Sequence, residues 1–385
     1  MAACVHRAAS AQTCLTQSNH RCSSTQRSEL SRLFGDETWW AHGHCVRRGG
    51  ALSASSASAA RTTSSSTAST SAASPNVLVL GDSGDLQTFH TAEFKLGRAE
   101  PCRRGHNSTD GSRWTDGVDR DHLVVSLPSA ADEQADGGIG VLVACRDQGF
   151  SSALWAGARN FTHYTAHAGR TVQQDARAGA FSPTFCARLV HEGRIGPGLP
   201  PTLRSRLGPG GSAPLHVVLY SQGRWRDEVE NAPARYERDM YAALRVLRER
   251  GFVPIVRLLP PSSLFAPALR AQLNGAASAI AARLGVRVLG DVALAEQLLR
   301  REAALRNVSV VDDQHLSWMH PQSCASRTQT LRAGFTVCVP RPAGSLLMAD
   351  GTHWCEDVFS GISGHLLVHQ VLELAQSRRV VYATL

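Results

Sequence analysis

Short, continuous apolar runs recur along the chain and are separated by turn residues. Runs of about four to eight apolar residues are typical of strands that are buried on both faces of a parallel sheet. The first run, 77–80, ends in Gly81-Asp82-Ser83-Gly84, a sequence typical of a tight turn. Strands are predicted at 77–80, 123–127, 139–144, 215–220, 252–259 and 286–289.

Helical periodicity follows the later runs. The clearest segment is 233–250, which Gly251 ends, and its apolar face consists of Tyr236, Met240, Ala243, Leu244 and Leu247. Further helices are predicted at 267–284, from an N-cap at Asp291, and at 361–375. Strands that alternate with helices predict an α/β fold, a three-layer sandwich with a central parallel sheet and right-handed crossovers.

Residues 1–75 differ in composition from the rest of the chain. The first 28 residues contain no Asp or Glu, and 51–74 is Ala, Ser or Thr at all but two positions. Such a stretch cannot bury a core, so 1–75 is predicted to be a disordered tail or a targeting segment. The single α/β domain is predicted at 76–380. Within it, 97–120 and 193–214 are rich in turn residues and are predicted to be surface insertions.

Charge and hydropathy argue against two classes of function. The formal net charge is +8, but basic and acidic residues are interspersed and form no basic stripe, so nucleic acid is not a predicted partner. No window approaches the roughly 20 apolar residues of a spanning helix, so no transmembrane span is predicted.

The turn after the first strand carries a residue with catalytic chemistry. Ligands of open parallel sheets bind at the carboxyl ends of the strands, which is where Ser83 falls. A serine on such a turn exposes its hydroxyl, and the backbone N–H groups that follow it can hold an anion. Gly, Asp and Ser are also ordinary turn residues, so a simple turn and helix cap is the alternative.

A nucleophilic serine needs a base and an acceptor that orients the base. Three Asp-x-x-His sequences offer such a pair: Asp119 with His122, Asp312 with His315, and Asp350 with His353. The third pair lies in a loop rich in turn residues, just before the last predicted helix. The second follows an apolar run and is kept in reserve, whereas the first is interpreted as a polar lead-in to a strand.

A Gly-Asp-Ser block after the first strand, together with an Asp-x-x-His-Trp-Cys block before the last helix, resembles the SGNH or GDSL superfamily. The resemblance is closest to the branch with the PC-esterase domains and the trichome-birefringence-like polysaccharide O-acetyltransferases, and it covers about residues 76–376. It implies that Ser83 is the nucleophile, His353 the general base and Asp350 the carboxylate that orients the base.

A third stretch supports the resemblance. Residues 217–225, Val-Val-Leu-Tyr-Ser-Gln-Gly-Arg-Trp, are similar to that branch's strand ending in Asn-Thr-Gly-His-Trp. Gly223 and Trp225 match, whereas Ser221 stands where the branch has Asn, and Arg224 stands where it has His. The resemblance implies these candidate oxyanion or substrate-orienting residues: Gly149, Ser221, Gly223, Arg224 and Trp225.

The activity that the resemblance implies is O-acyl transfer, most directly acetyl transfer, to a glycan hydroxyl through an acyl-serine intermediate. The expected partners are a glycan or another acyl-ester substrate and an acyl donor, and no metal or organic cofactor is implied. Two alternatives stay open. One is a carbohydrate or lipid O-acyl esterase of the same fold, and the other is an inactive domain that binds glycans through Trp225 and Trp354.

Cysteines and glycosylation motifs bear on the compartment. The domain contains six of the ten cysteines, which permit many disulfide pairings or buried free thiols: Cys102, Cys145, Cys186, Cys324, Cys338 and Cys355. Asn107, Asn160 and Asn307 begin N-x-Ser/Thr sequences. Together with the resemblance, these features favour the Golgi lumen or secretion. The composition of residues 1–75 resembles a transit peptide, which makes an organelle the alternative.

Overall fold

The structure, a computed structural model, describes part of the chain. The described residues are 28–29, 32, 74–96, 98, 113–116, 123–128, 138–146, 183–196, 198–208, 210–221, 233–261, 267–307, 328–330, 336–338, 347, 354 and 361–383. Their strands are β1 (Val77–Gly81), β2 (Arg113–Asp116), β3 (Leu123–Ser126), β4 (Leu142–Arg146), β5 (Arg194–Ile195), β6 (Ala213–Pro214), β7 (Val217–Tyr220), β8 (Val253–Arg257), β9 (Arg287–Leu289), β10 (Thr328–Thr330) and β11 (Thr336–Cys338). Their helices are α1 (Ser83–Lys95), α2 (Pro183–Glu192), α3 (Pro201–Arg204), α4 (Pro233–Glu249), α5 (Pro267–Arg283), α6 (Asp291–Leu305) and α7 (Gly361–Ala383).

A sheet of seven strands forms the centre of the described fold, in the order β2-β3-β4-β1-β7-β8-β9. Strands β4, β1, β7, β8 and β9 are parallel, whereas β3 pairs antiparallel with β4 and β2 pairs antiparallel with β3. After β1 the chain adds strands on one side of it, and from β7 onward it adds strands on the other side. Ligands of open sheets bind at such a switch point, outside the carboxyl ends of the strands. The topology therefore points to the carboxyl end of β1.

The predicted α/β class is confirmed and the sheet is mostly parallel, but the edge of the sheet corrects two predictions. The run at 123–127 is predicted as a strand of the parallel sheet, and β3 runs antiparallel. All four side chains of β3 are buried, and burial on both faces gives a continuous apolar run in either direction. Strand β2 lies within 97–120, which the sequence predicts to be a surface insertion.

Alternate side chains of β1 enter two separate cores, one on each face of the sheet. Leu78 and Leu80 pack in the core that contains Met240 of α4. Val77 and Val79 belong to the opposite core, with side chains of α1 and α7. Helices therefore cover both faces, an arrangement compatible with the predicted three-layer sandwich.

The helix predictions are confirmed in part. The whole predicted apolar face of α4 is buried, because the sequence follows the helical period closely there. The predicted N-cap at Asp291 is wrong, since Gly290 is the N-cap and Asp291 is the first helical residue. On α6, Leu294 is 37% and Leu305 is 45% exposed, whereas Ala295 and Leu299 are buried.

The Pro- and Gly-rich segment 193–214 contributes to the core, although the sequence predicts a surface insertion. Strands β5 and β6 pair antiparallel within it, and α3 lies between them. Ile195, Leu199 and Leu203 are buried in the core on the α4 face. Turn residues therefore allow the chain to bend here without keeping it away from the core.

One cysteine pair lies at disulfide-forming distance within the described residues. Cys145 near the end of β4 faces Cys186 of α2, and their Cα atoms are 5.8 Å apart. The pair ties a helix to the sheet beside β1, since Cys145 is in register with Leu80. None of the helices that the structure describes is long and apolar enough to span a membrane.

We expect loss of this cross-link in Cys186→Ala to lower the free energy of unfolding by about 2–4 kcal/mol, because the bond restricts the unfolded chain. Urea unfolding of the oxidised proteins measures the difference, and non-reducing peptide mapping identifies the cross-link. A wild-type protein in which the peptides around residues 145 and 186 are never linked would contradict this prediction.

Helices α1 and α7 approach closely at a glycine. A Cβ atom added at Gly364 would lie 2.6 Å from the backbone nitrogen of Ala92. Because the obstacle is helix backbone, it cannot move aside as a flexible side chain can. Gly364 therefore sets the separation of the two helices that cover the Val77 face of the sheet.

Gly364→Ala is expected to lower the free energy of unfolding by about 1–3 kcal/mol through overpacking. Gly275→Ala on α5 is the matched control, because its Cβ would have no neighbour within 4 Å among the described residues. That control is expected to be neutral or to stabilise by up to about 1 kcal/mol, since alanine is the better helix former. Equal unfolding midpoints for the two variants in urea would refute the close contact.

Candidate functional site

The turn between β1 and α1 brings Ser83 to the carboxyl end of the central strand. Strand β1 ends at Gly81 and α1 begins at Ser83, so Asp82 is the residue between them. The Asp82 Oδ1 atom accepts a hydrogen bond from the Gly84 N–H at 2.7 Å, which caps the helix. This amide therefore serves the cap and not a bound anion. The side chain of Ser83 lies outside the described part of the structure.

Asp85 folds back over the end of β1. Its Oδ2 atom accepts the Asp82 N–H at 2.9 Å. A Cβ atom at Gly81 would lie 2.8 Å from the Cβ of Asp85, so only glycine leaves room for this side chain. The turn that carries Ser83 is thus held on both sides, by the Asp82 cap and by the Asp85 carboxylate.

Ser221 lies beside this turn, directly after β7. Its backbone N–H donates to the carbonyl oxygen of Leu80 at 3.2 Å, and its Oγ donates to Asp85 Oδ2. Of the predicted oxyanion or substrate residues, Ser221 is the one that the structure describes. Both of its donors bond to the protein itself, which makes it a link between β7 and the Ser83 turn.

A buried arginine neutralises Asp85. Arg257 is the last residue of β8 and is 4% exposed. Its Nη1 atom lies 3.0 Å from Asp85 Oδ1, and its Nε atom lies 2.7 Å from Asp291 Oδ2. A buried charge is costly unless it is paired and hydrogen-bonded, and here one guanidinium pairs with two carboxylates.

Asp291 extends these contacts to the last helix. Its Oδ2 atom also accepts the Ser363 hydroxyl of α7 at 2.9 Å. We call the five side chains of Ser221, Asp85, Arg257, Asp291 and Ser363 the Arg257 network. The network joins the carboxyl ends of β1, β7, β8 and β9 to the starts of α1, α6 and α7.

The charges in the Arg257 network perturb one another. Burial alone would lower the pKa of Arg257, but the carboxylates of Asp291 and Asp85 hold that pKa above its ordinary value. Burial raises the pKa of Asp85, although Arg257 beside it favours the ionised form. The guanidinium therefore stays charged and needs its carboxylates.

Trp354 is anchored between α1 and the segment that follows β8. Its indole Nε1 donates to the carbonyl oxygen of Pro261 at 3.2 Å, and its own carbonyl oxygen accepts from Gln87 Nε2 at 3.4 Å. The side chain is 2% exposed. A glycan contact of Trp354, as in the inactive-domain alternative, would need an exposed ring face, and this side chain is buried here.

The remaining predicted site residues lie outside the described residues. They are Gly149, Gly223, Arg224, Trp225, Asp350 and His353, together with the two other Asp-x-x-His pairs. Their roles stay predictions. Among the residues that the structure describes, no group of three or more His, Cys, Asp or Glu side chains is placed to hold a metal ion.

Sequence reasoning missed most of the Arg257 network. One signal was present, because Arg257 is a charged residue inside the predicted buried strand 252–259, and such a residue needs a buried partner. The partners gave no comparable signal. Asp85, Asp291 and Ser363 are far apart in sequence, and the sheet topology brings them together.

In comparisons with known proteins, no family model and no curated protein matches this chain.

Gly81→Ala is expected to lower the free energy of unfolding by about 1–3 kcal/mol, because the added methyl group displaces Asp85 from Arg257. Gly138→Ala is the control, since a Cβ there would have no neighbour within 4 Å among the described residues. Urea unfolding at neutral pH compares the two variants. If Gly81→Ala is as stable as Gly138→Ala, the packing of Asp85 over β1 is wrong.

Proposed function

We propose that the protein transfers an O-acyl group, most directly acetyl, through an acyl-serine intermediate on Ser83. The observation that carries the proposal is the position of Ser83. It is the first residue of α1, at the carboxyl end of β1. On one side of β1 lie strands β2 to β4, and on the other side lie strands β7 to β9. This is the position at which open parallel sheets bind their ligands.

The anchoring of Trp354 supports His353 as the base. His353 immediately precedes Trp354 in the sequence, and Trp354 is hydrogen-bonded to Gln87, one helical turn after Ser83. The proposal takes this anchor beside α1 as support for His353, because His353 is the sequence neighbour of Trp354. In the proposal, Asp350 orients His353 as the third member of the triad.

The proposed reaction is a double displacement. His353 takes the proton of the Ser83 hydroxyl as its oxygen attacks the acyl carbonyl carbon, and the bond to the leaving alcohol breaks as His353 returns the proton to it. An acceptor hydroxyl then repeats the sequence on the acyl-serine. A sugar hydroxyl gives a transferase, and water gives an esterase.

The tetrahedral intermediate needs hydrogen-bond donors for its oxyanion, each typically worth about 3 kcal/mol. The proposal assigns the Ser83 N–H as one donor. The Gly84 N–H is held by Asp82, and the two donors of Ser221 are held by Leu80 and Asp85. The second donor is therefore assigned to the region of Gly149 or Gly223.

The wider proposal is an SGNH-type three-layer fold that acts on glycans in the secretory pathway. Helices on both faces of the sheet support the fold assignment. The Cys145 and Cys186 pair supports a compartment in which disulfides persist, as do the three glycosylation sequences. The sugar acceptor is proposed from the sequence resemblance.

Ser83→Ala is expected to abolish release of p-nitrophenol from p-nitrophenyl acetate, a loss of at least about a thousandfold in kcat. The full chain is produced in an oxidising host so that the cysteine pair can form. Ser377→Ala is the matched control, because this exposed serine of α7 donates to the carbonyl oxygen of Glu373 in its own helix. It is expected to keep wild-type turnover.

Xylan oligosaccharides added to the same assay distinguish the two outcomes. Acetyl on the sugar, dependent on Ser83, supports the transferase, and release of p-nitrophenol without transfer supports the esterase. Equal background from the wild type and Ser83→Ala would contradict the proposed function.

A further inference from the structure

We propose that Arg257 is a positioning residue, which aligns the helix that begins with Ser83 with the helix that follows the Asp350–His353 segment. The inference rests on the proposed function, because it explains how the two halves of that triad are held together. Arg257 itself lies at the buried end of β8 and acts through its neighbours.

The first half of the alignment passes through Asp85. This residue is two positions after Ser83, and its carboxylate holds the Asp82 N–H on the other side of Ser83. The same carboxylate accepts from Arg257 and from Ser221. The position of the guanidinium therefore determines the position of the turn around Ser83.

The second half passes through Asp291 and Ser363. The Asp291 oxygen that accepts from Arg257 Nε also accepts the Ser363 hydroxyl, in the first turn of α7. Ser363 follows His353 by ten residues in the chain. Trp354 adds a second connection, since it is bonded both to α1 and to the segment after β8, the strand that ends in Arg257.

Only arginine fits the two partners of this position. The Nε and Nη1 atoms point to different carboxylates, which requires the planar fork of a guanidinium. A lysine ammonium is a compact point charge and would serve one carboxylate at the expense of the other. Buried ion pairs add little to stability compared with apolar packing, so an alignment role accounts better for this arrangement.

The test compares Arg257→Lys with Arg270→Lys in the full chain. Arg270 is also buried, and its Nη1 atom lies 2.8 Å from Glu296 Oε1, but the pair joins α5 to α6 and shares no residue with the Arg257 network. For each protein we would measure kcat and KM for p-nitrophenyl acetate, the rate of Ser83 labelling by a fluorophosphonate, and the thermal unfolding midpoint.

Arg257→Lys is expected to lower kcat and the labelling rate by about a hundredfold with KM changed by less than about threefold, because misplacement of reacting groups lowers the rate of the chemical step. Both variants are expected to lower the unfolding midpoint, but Arg270→Lys is expected to keep kcat within about threefold of the wild type. If both variants keep kcat within that range, the alignment role is overturned.

A second variant covers the case in which Arg257→Lys does not fold. Ser363→Ala removes only the hydroxyl that α7 contributes, and we expect it to lower kcat by about tenfold at unchanged KM. Ser377→Ala on the same helix is its control. If Ser363→Ala keeps the wild-type kcat, the inference that Arg257 aligns α7 through Asp291 and Ser363 is overturned.

Failure of the proposed function has a different signature. It would appear as a wild-type protein that the fluorophosphonate does not label at Ser83, with turnover equal to that of Ser83→Ala, and the inference would fall with it. If the wild type is labelled and active, but Arg257→Lys and Ser363→Ala keep its kcat and labelling rate, the inference is overturned while the proposed function stands.

Discussion

The geometry of the site depends on the ion pairs that the buried Arg257 guanidinium forms with Asp85 and Asp291. Arg257 lies at the carboxyl end of β8, and its buried charge would be costly without carboxylates within hydrogen-bond distance. Those carboxylates lie in the first turns of two different helices, α1 and α6, and Asp291 also holds α7 through Ser363. Removal of one partner from such a pair typically costs about 3–5 kcal/mol, so the starts of these helices are closely constrained.

The same constraint explains the local sequence around Ser83. Gly81 leaves the space that the Asp85 side chain fills, and Asp82 caps α1 while its own N–H bonds to Asp85. A serine on this turn is held by short-range hydrogen bonds on both sides and by the sheet below. Preorganisation of this kind is what a nucleophile needs, because reacting groups contribute most when they are fixed before the reaction.

The sequence predicts much of the fold and less of the site. The strand at β1 and the buried face of α4 follow from local apolar patterns, because burial and period are local properties. The direction of β3 does not, since an apolar run buried on both faces carries no sign of strand direction. The partners of Arg257 come from distant parts of the chain, and only the topology of the sheet brings them together.

Trapping of the acyl-enzyme shows directly whether Ser83 is the nucleophile. The wild-type protein is mixed with p-nitrophenyl acetate, quenched with acid within the first turnover, digested, and analysed by fragmentation mass spectrometry. We expect one acetyl group on the hydroxyl of Ser83, absent from Ser83→Ala. Release of p-nitrophenol with acetyl on another residue, or with none on the peptide that carries Ser83, would contradict it.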